Sequence, residues 1–408
     1  MRLGVFHPAF ETVGGAELLA VSQLDHFRSQ GVLPEVLTLG YDAARWSQRL
    51  QGFPLSVVPK RHWSDVFFAW SRLAKLRRRG QRAASAMQGF DVVIAHNFPA
   101  SAMLGAAELS ARKIWQCNEP PRGIHMAEAN PVLASRVAGT GGTAQDEATC
   151  RFARNLAEHR QELARNSTNR ARRTYDLDAV ARLDLIYAIS EFSRDNARRI
   201  YGRCRDEVIY PIVRFPEGGR KRAGLDRSVR RVLVHSRLEV LKNIDTVIRG
   251  FKLFQASSPV ACELHVVGDG PFRDRLEALA SAECRPGTVR FHGYLPAEDL
   301  QAVYEACDVF ALLTLDEPFG MVYPEAAAKG LLLIGPDHGG PLEILDGGRL
   351  GWVVDAFSPT ALAEALASVW SLDDAEVDRR LEEVDRACRS RFGLQAVGPQ
   401  LMALLEKD

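Results

Sequence analysis

The chain has 408 residues, of which 46% are hydrophobic and 25% are charged, and its formal net charge is +1. This composition is typical of a folded globular protein and excludes a disordered chain, a collagen-like fibre and a small disulfide scaffold. Its apolar runs fall short of the roughly 18 residues that a membrane-spanning helix needs, and its length predicts about two to four domains.

Apolar runs of strand length alternate along the chain with helical patterns, for example over residues 16–30 and 244–255. This alternation predicts an α/β fold, with two doubly wound domains around a cleft. Ligands of such sheets bind beyond the carboxyl ends of the strands, so functional residues are expected there. The ten predicted strands form two sets on either side of a Pro- and Gly-containing connection at 210–230: residues 3–6, 34–39, 91–95, 113–116 and 185–189, then 232–235, 263–267, 289–291, 309–313 and 331–334.

Positive charge is concentrated in the first half of the chain. Residues 1–208 hold 29 Lys and Arg against 21 Asp and Glu, whereas residues 209–408 hold 23 against 30. The excess lies over 61–82 and 151–182, the latter within a helical stretch, 124–184, that is predicted to be an insertion. Such a basic surface indicates an anionic partner, or else a solvated helix face. No recognition motif for nucleic acid accompanies the charge, so nucleic acid is not an expected partner.

The seven cysteines are odd in number and widely spaced, and no C-x-x-C pair occurs. This spacing argues against structural zinc and against a disulfide framework. It predicts free thiols and a reducing, cytoplasmic location. The first eight residues turn polar too early for a signal peptide and are interpreted as a buried strand.

Two loops that follow predicted strands carry groups suited to phosphate. Gly14 and Gly15 precede a helix, where backbone N–H groups can approach an anion closely, and a plain tight turn is the alternative. Arg237 and Lys242 lie five residues apart beside the start of another helix. Two such cations can hold a diphosphate without a metal, whereas the alternative is a pair of ordinary surface cations.

Two further loops are candidates for contact with a nucleotide. Gly268 ends a strand, where a small residue permits close backbone approach, although an ordinary turn explains it equally well. His292 follows another strand and Tyr294 comes two residues later. Backbone groups at that point can meet a base, and a structural role is the alternative for His292.

The most specific motif runs from Glu317 to Glu325, with seven residues between the two carboxylates. Pro-Phe-Gly forms a turn into a helix, so one carboxylate is predicted in the loop and the other about one turn into the helix. Carboxylates accept hydrogen bonds from vicinal sugar hydroxyls, and the first N–H groups of the helix suit a hydroxyl or a phosphate. The alternative is that the acidic residues only stabilise the helix.

Together these motifs resemble the retaining GT-B glycosyltransferases of family four (glycosyltransferases group 1), and within that family the mannosyltransferases. The resemblance covers nearly the whole second half of the chain, and in the first half the glycine loop and residues 190–194. It implies a GT-B fold, in which two Rossmann-like domains face a central cleft. We expect an acceptor-side domain over 1–208 and a nucleotide-sugar domain over 209–393, with a helix at about 394–408 packing back on the first domain.

The resemblance also implies roles for the motif residues. Glu325 is expected to bind ribose hydroxyls and Glu317 to contact the transferred sugar. Arg237 and Lys242 are expected to neutralise the diphosphate. The other expected donor contacts come from the remaining motif residues: Gly14, Gly15, Gly268, His292, Tyr294, Phe319, Gly320, Met321 and Val322.

The chain departs from the family at one position. The family usually places a histidine after a strand of the first domain, near the primary hydroxyl of the sugar, and here Asn118 occupies the corresponding stretch. Asparagine can hydrogen-bond but cannot carry a proton at neutral pH. His96, which follows the preceding strand, is a second candidate for this role. Both assignments stay open, as does the possibility that the chemistry does without the histidine.

Negative charge develops on the leaving diphosphate, and fixed cations or a metal ion can stabilise it. The sequence contains one Asp-x-Asp, formed by Asp176 and Asp178, and Asp178 is interpreted as a helix cap. We therefore expect metal-independent transfer with no cofactor, and a nucleotide-diphosphate sugar as substrate.

His7-Pro8 together with residues 14–17, and the stretch 208–211, are similar to mannosyltransferases of lipid-linked oligosaccharide assembly, so GDP-mannose is the first choice of donor and a UDP-sugar the second. The expected acceptor is a glycan or a lipid-diphosphate-linked glycan in surface polysaccharide biosynthesis. The pattern over 65–77 suits a helix on an anionic membrane surface, and thus a peripheral location on its inner face, although a core helix has the same pattern. The alternatives are a UDP-sugar-dependent glycosyltransferase, a sugar-nucleotide epimerase or a nucleotide-sugar-binding subunit.

Overall fold

The structure is a computed structural model that describes residues 1–58, 72–140, 146–165, 167–215 and 224–406. The chain divides into two compact units, each formed from more than one segment. The first unit comprises Met1–Pro131, Ala153–Ile212 and Gln395–Asp408, and the second comprises Val132–Phe152 and Val213–Leu394. Within the helical stretch that was predicted to be an insertion on the first domain, residues 132–152 therefore group with the second unit.

Each unit contains one parallel sheet. The strands in the described ranges are β1 (Leu3–His7), β2 (Glu35–Thr38), β3 (Leu55–Val57), β4 (Val92–His96), β5 (Arg112–Cys117), β6 (Leu185–Ala188), β7 (Val229–His235), β8 (Ala261–Val267), β9 (Val289–Gly293), β10 (Val309–Ala311), β11 (Leu332–Pro336) and β12 (Trp352–Val354). Their order is β3-β2-β1-β4-β5-β6 in the first unit and β12-β11-β10-β7-β8-β9 in the second. Counted from its own first strand, each sheet has the Rossmann order 3-2-1-4-5-6, so the predicted pair of Rossmann-like domains is confirmed.

Helices connect the strands. In chain order, those in the described ranges are α1 (Gly15–Ser29), α2 (Ala43–Trp46), α3 (Arg72–Ala86), α4 (Ala100–Ala106), α5 (Pro131–Thr140), α6 (Glu147–Arg165), α7 (Ser167–Ala181), α8 (Glu191–Tyr201), α9 (Ile244–Ser257), α10 (Arg273–Glu283), α11 (Ala297–Ala306), α12 (Val322–Ala328), α13 (Gly339–Ile344), α14 (Pro359–Ser371), α15 (Asp374–Phe392) and α16 (Leu394–Ala403). A short 3₁₀ turn, Val240–Lys242, precedes α9.

The first sheet is covered by helices on both faces because its strands are apolar on both sides. Val5 of β1 belongs to a buried cluster that includes Leu24 of α1 and Leu401 of α16. The next residue, Phe6, points to the opposite face and joins a second cluster with Met103 of α4. The C-terminal helix α16 therefore packs in the core of the first unit.

Two strands were not predicted from the sequence, β3 and β12. Each has only three residues and lies at the edge of its sheet. The residues of β3 are half-buried or exposed, and only Val354 of β12 is buried. By contrast, all five residues of β4 are buried, and such a central strand was readily predicted.

Candidate functional site

The second sheet has a topological switch point between β7 and β10, which are neighbours in the sheet although they lie far apart in the chain. In an open α/β sheet the connections from two such strands diverge, and the gap beyond their carboxyl ends is the usual place for a ligand. The loop after β7 carries Arg237 and Lys242, and the loop after β10 carries Glu317. The fold therefore brings the two strongest predicted motifs of the second half to the same point.

The Lys242 ammonium and the Glu317 carboxylate join these two loops directly. Lys242 Nζ donates to Glu317 Oε2 at 2.6 Å, and the two side chains are 25% and 18% exposed. A charge-assisted contact of this length between partly buried groups orients both side chains. A cation and a carboxylate thus lie side by side where the resemblance expects a diphosphate and a sugar.

Arg237 lies in the same loop but is much more accessible. Its side chain is 63% exposed, and its Nε lies 2.7 Å from Glu239 Oε1. An exposed pair of this kind is weak, because water screens both charges and the side chains lose entropy. The guanidinium can therefore exchange Glu239 for a phosphate at little cost.

Asn243, which the sequence analysis did not single out, fixes the loop after β7 against two other loops. It has a left-handed backbone conformation, with φ of 53°. Its buried Nδ2 donates to the carbonyl oxygens of Leu313 and Ala356, at 2.9 and 2.7 Å, and its Oδ1 accepts from Thr246. The only signal in the sequence is an asparagine immediately before a helix.

Glu325 lies on α12, one turn after the helix begins, as the motif predicts. Burial raises the pKa of its carboxyl to about 7, while Lys329 on the next turn of the helix opposes that shift. Because burial disfavours the charged form, a ligand that donates hydrogen bonds to this carboxylate would replace the water that it lacks and stabilise its charge. Its surroundings therefore suit a ligand that presents hydroxyls.

The loop between the two glutamates is held by close backbone packing. Gly320 has φ of 95°, and a Cβ on it would lie 2.9 Å from the Tyr323 ring. A Cβ on Gly340, at the start of α13, would lie 2.3 Å from the Cα of Phe319, whose own side chain is buried. Met321 and Val322 are half-buried at the N-terminal end of α12. The fixed backbone from Phe319 to Val322 is thus suited to hold ligand groups with its amides.

Gly268 has a structural reason to be glycine. Its φ is 119°, and a Cβ there would lie 1.9 Å from the carbonyl oxygen of Ser236 in the loop after β7. No side chain fits at that distance, so the glycine allows the loop after β8 to pack against the loop that carries Arg237. This packing does not test contact with a donor, which stays a prediction.

His292 and Tyr294 have different surroundings at the end of β9. His292 is a bulged residue, and its ring stacks on that of His265, with Nε2 of His292 3.0 Å from Nδ1 of His265. Burial and Arg290 lower the pKa of His292, so the ring is neutral at pH 7. Tyr294 is 75% exposed. Of the two, Tyr294 has a ring face available for stacking on a base.

The first sheet has its own switch point, between β1 and β4. After β1, Gly14 is the N-cap of α1 and Gly15 its first residue. A Cβ on Gly15 would meet no atom within 4 Å, so packing does not require a glycine there. At the carboxyl end of β1, burial lowers the pKa of His7 to about 4.

The two candidates for the family histidine, His96 and Asn118, belong to one buried hydrogen-bond network in the first unit. Gln116 Nε2 donates to Asn118 Oδ1 at 2.9 Å and lies 3.4 Å from His96 Nδ1. Gln116 Oε1 in turn accepts from Gln23 and Tyr187. Gln116 was not identified from the sequence, since only the fold shows that it links the two candidates.

His96 is neutral, because burial and the neighbouring His7 lower its pKa. Its Nε2 is buried and has no hydrogen-bond partner among the described residues. Asn118 is also held through its backbone, since Ser193 of α8 donates its hydroxyl to the Asn118 carbonyl oxygen. Neither residue is placed to carry a positive charge at neutral pH.

The interpretation of Asp178 as a helix cap is wrong. Asp176 and Asp178 both lie inside α7, within its last two turns. Asp176 is fully buried, where its Oδ2 lies 2.8 Å from His125 Nε2 and accepts the Tyr201 hydroxyl at 2.8 Å. The helix continues through these three residues, and the buried partners of Asp176 explain the acidic residue there.

Three observations concern other predicted partners. In the ranges that the structure describes, no group of three or more His, Cys, Asp or Glu side chains is arranged to hold a metal ion. None of the helices described is both long and apolar enough to span a membrane. Of the predicted membrane-surface pattern over 65–77, residues 65–71 lie outside the described part of the chain, and the later positions form the start of α3.

Comparison with protein families gives two adjoining matches. A family described as Glycosyltransferase Family 4 matches residues 13–214, and one described as Glycosyl transferases group 1 matches residues 219–386. The two matches together span most of both units, and they include the glycine loop, Arg237, Lys242 and the motif from Glu317 to Glu325.

Two relatives are similar in sequence to less than half of the chain. The mannosylfructose-phosphate synthase of Agrobacterium fabrum is 30% identical over 196 residues, which are 46% of this chain and 42% of that protein. A GDP-mannose-dependent alpha-(1-6)-phosphatidylinositol monomannoside mannosyltransferase of Mycolicibacterium smegmatis is 35% identical over 158 residues, 37% of this chain and 41% of that protein. The chain thus spans less than half the length of these two relatives.

The fold is also found in solved structures. The crystal structure of Anabaena HepE in complex with UDP and glucose matches with a TM-score of 0.68 and 16% identity, over 99% of each chain. At 16% identity this structural similarity shows a shared fold and nothing more.

Proposed function

The chain belongs to glycosyltransferase family 4, and on that premise we propose that it transfers a hexose from a nucleotide-diphosphate sugar, with retention and without a metal ion. The first choice of donor is GDP-mannose, supported by the relative from Mycolicibacterium smegmatis that is named as GDP-mannose-dependent. A UDP-sugar is the second candidate, supported by the neighbouring structure that holds UDP and glucose. The proposed acceptor is a glycan or lipid-linked glycan of surface polysaccharide biosynthesis.

The observation that carries this proposal is the contact between Lys242 and Glu317 at the switch point of the second sheet. A cation beside a carboxylate supports a site in which Lys242 meets the diphosphate and Glu317 the sugar. Glu325 lies eight residues further along the same motif, in surroundings suited to the ribose hydroxyls. A sugar, a diphosphate and a ribose are the three consecutive parts of the proposed substrate.

The proposed reaction breaks the bond between the anomeric carbon and the diphosphate oxygen, which leaves with the electron pair. The acceptor oxygen bonds to the same carbon and its proton is released. Lys242 and Arg237 stabilise the negative charge that grows on the leaving diphosphate, since fixed charges do not need to reorganise as the reaction proceeds. In the first unit, the neutral His96 and Asn118 can position sugar or acceptor hydroxyls by hydrogen bonds.

A panel of nucleotide sugars tests the donor. We expect GDP-mannose to raise the thermal unfolding midpoint more than UDP-sugars do, because at equal concentration the ligand with the lower Kd stabilises the folded state more. A ligand at 100 times its Kd stabilises the folded state by about 2.7 kcal/mol. Nucleosides without phosphates are the control and should give no shift. A panel in which neither GDP-sugars nor UDP-sugars shift the midpoint would contradict the proposal.

Incubation of the protein with the donor and no acceptor separates the alternatives. A sugar-nucleotide epimerase would convert the donor into its epimer, and a glycosyltransferase would leave its configuration intact. A nucleotide-sugar-binding subunit would bind the donor in the panel and yet transfer nothing to any acceptor. Release of nucleoside diphosphate that depends on the acceptor therefore identifies transfer.

The proposed location on an anionic membrane surface rests on the basic helix α3, where the described side chain of Arg77 is exposed. We expect the protein to bind vesicles of anionic phospholipid at low salt, and Arg77→Glu to weaken that binding about fivefold, since each basic residue contributes about 1 kcal/mol. Arg386→Glu, at an exposed position of α15, is the matched control. Equal binding by both variants, or no binding by the parent, would remove the membrane from the proposal.

A further inference from the structure

Asp316, the residue before Glu317, is fully buried and has a left-handed backbone conformation, with φ of 50°. Its two carboxylate oxygens accept hydrogen bonds from the backbone N–H groups of Val132 and Leu133, at 3.0 and 3.1 Å. These donors lie in the first turn of α5, directly after Pro131, which has no N–H. A side chain of the loop after β10 therefore caps a helix that is 183 residues away in the chain.

The capped helix belongs to a segment, residues 132–152, that groups with the second unit. The segment makes further contacts with loops that follow the strands of the second sheet. The Arg136 guanidinium lies over the ring of Phe357, 4.2 Å from its centroid, in the loop after β12. Glu147 accepts from Arg275 at 2.8 Å, near the start of α10, which follows β8. The described residues of this segment thus contact loops at the carboxyl edge of the second sheet, where the donor is proposed to bind.

The backbone next to Glu317 needs this support. A left-handed conformation is unfavourable for a residue with a Cβ, and it persists only where surrounding contacts hold it. The carbonyl oxygen of Glu317 accepts from Gly340 at 2.8 Å, and the N–H of Leu315 donates to Leu241 at 2.8 Å. The hydrogen bonds of Asp316 to α5 thus add a further anchor for the loop, directly before Glu317.

We propose that Asp316 is a positioning residue: by capping α5 within the segment 132–152, it fixes the loop that presents Glu317 to the sugar of the donor. This inference rests on the proposed function, since it assigns the sugar to Glu317. Asp316 itself touches no substrate group. Its replacement therefore changes kcat and the affinity that the sugar adds, and it leaves the affinity for the free nucleoside diphosphate unchanged.

The test compares Asp316→Asn and Asp316→Ala with Asp373→Ala, which removes a cap on another helix, that of α15. Affinities for UDP, GDP and the best sugar nucleotide of the panel are measured by calorimetry, and kcat is measured with the same donor. We expect both Asp316 variants to bind the free nucleoside diphosphate as the parent does and to lose about tenfold or more in kcat, because hydrogen bonds to a buried carboxylate are strong. The Asn variant, which keeps one acceptor oxygen, should lose less than the Ala variant.

The outcomes separate a positioning role from a structural one. Asp373→Ala should lower the unfolding midpoint, because α15 loses its cap. It should leave unchanged both kcat and the difference in affinity between the sugar nucleotide and the free nucleoside diphosphate. If the Asp316 variants keep the parental kcat, or lose free nucleoside diphosphate affinity by the same factor as kcat, the inference is overturned. If the parent binds no nucleotide, the proposed function fails and the inference falls with it.

A measurement on the parent protein covers the case in which the variants do not fold. Amide hydrogen exchange at Val132 and Leu133 is followed with nucleoside diphosphate alone and with the sugar nucleotide. We expect the sugar nucleotide to slow exchange at these two amides more than the diphosphate alone does, because it engages Glu317. Equal protection by the two ligands would contradict the positioning role.

Discussion

Replacement of Lys242 by alanine is expected to lower kcat/KM for the donor by an amount that corresponds to about 2–5 kcal/mol, as the loss of one member of a desolvated charge pair can. The ammonium contacts Glu317 at 2.6 Å, and both side chains are largely shielded from water. The variant loses the cation that is proposed to stabilise the leaving diphosphate, and it also leaves the carboxylate without its ammonium. Steady-state kinetics with the donor identified by the panel measures the loss.

Lys252→Ala is the matched control for this variant. Lys252 also forms an ion pair, with Glu283 at 3.1 Å, but it lies on the exposed side of α9 with 45% of its side chain accessible. An exposed pair contributes little, so the control should keep the parental kcat/KM. If Lys242→Ala and Lys252→Ala are equally active, Lys242 has no part in the reaction.

A double variant separates the two roles of Lys242. If the ammonium acts only by holding Glu317, then Lys242→Ala added to Glu317→Gln should cost nothing further. If it acts on the diphosphate, as we propose, the second substitution should lower kcat/KM again by a similar factor. Double-mutant cycles measure this coupling directly.

Replacement of Glu325 by glutamine is expected to make the protein more stable and a weaker binder. Burial raises the pKa of this carboxyl from 4.5 to about 7 in the folded protein. The folded state then holds a proton that the unfolded state releases, so stability falls as the pH rises from about 4.5 to about 7. At pH 8 the full cost is present, about 3 kcal/mol at 1.36 kcal/mol per pH unit, and the neutral amide of the Glu325→Gln variant avoids it.

The same substitution removes the carboxylate that is proposed to bind the ribose hydroxyls. We expect the affinity for UDP or GDP to fall about tenfold or more, since hydrogen bonds to a charged group are worth about 1.5–3 kcal/mol. Denaturant unfolding at pH 5 and pH 8, together with calorimetry at pH 8, measures both effects. Glu364→Gln, at an exposed position of α14, should change neither. A Glu325→Gln protein that is no more stable than the parent at pH 8, or that binds nucleotide as well, contradicts the assignment.

The central strands β1 and β4 were readily predicted from the sequence. Both β1 and β4 are buried on every residue and form short continuous apolar runs in the sequence. The missed strands β3 and β12 have three residues each, and of these six residues only Val354 is buried. The polar residues that support the site escaped the sequence analysis for another reason. Each depends on a partner far along the chain, as Asn243 does on Ala356 and Asp316 on Val132.

The motif residues could be predicted because each follows a strand, and ligands bind at the carboxyl ends of parallel strands. The sequence does not state which of these loops are neighbours. Arg237 and Lys242 were predicted as a pair of cations, yet the structure pairs Lys242 with Glu317 and leaves Arg237 exposed beside Glu239. Likewise, His96 and Asn118 were competing candidates, and the fold joins them through Gln116.

By itself, the sequence determined the class of the fold, the division into two sets of alternating strands and helices, and the loops that carry the chemistry. These features depend on the local spacing of apolar residues and on the residue types at strand ends. Only the tertiary structure decided that β7 lies beside β10, that Asp316 caps α5, and that Asp176 is part of a buried cluster. Strand order and hydrogen-bond partners depend on packing between distant segments, which local periodicity does not encode.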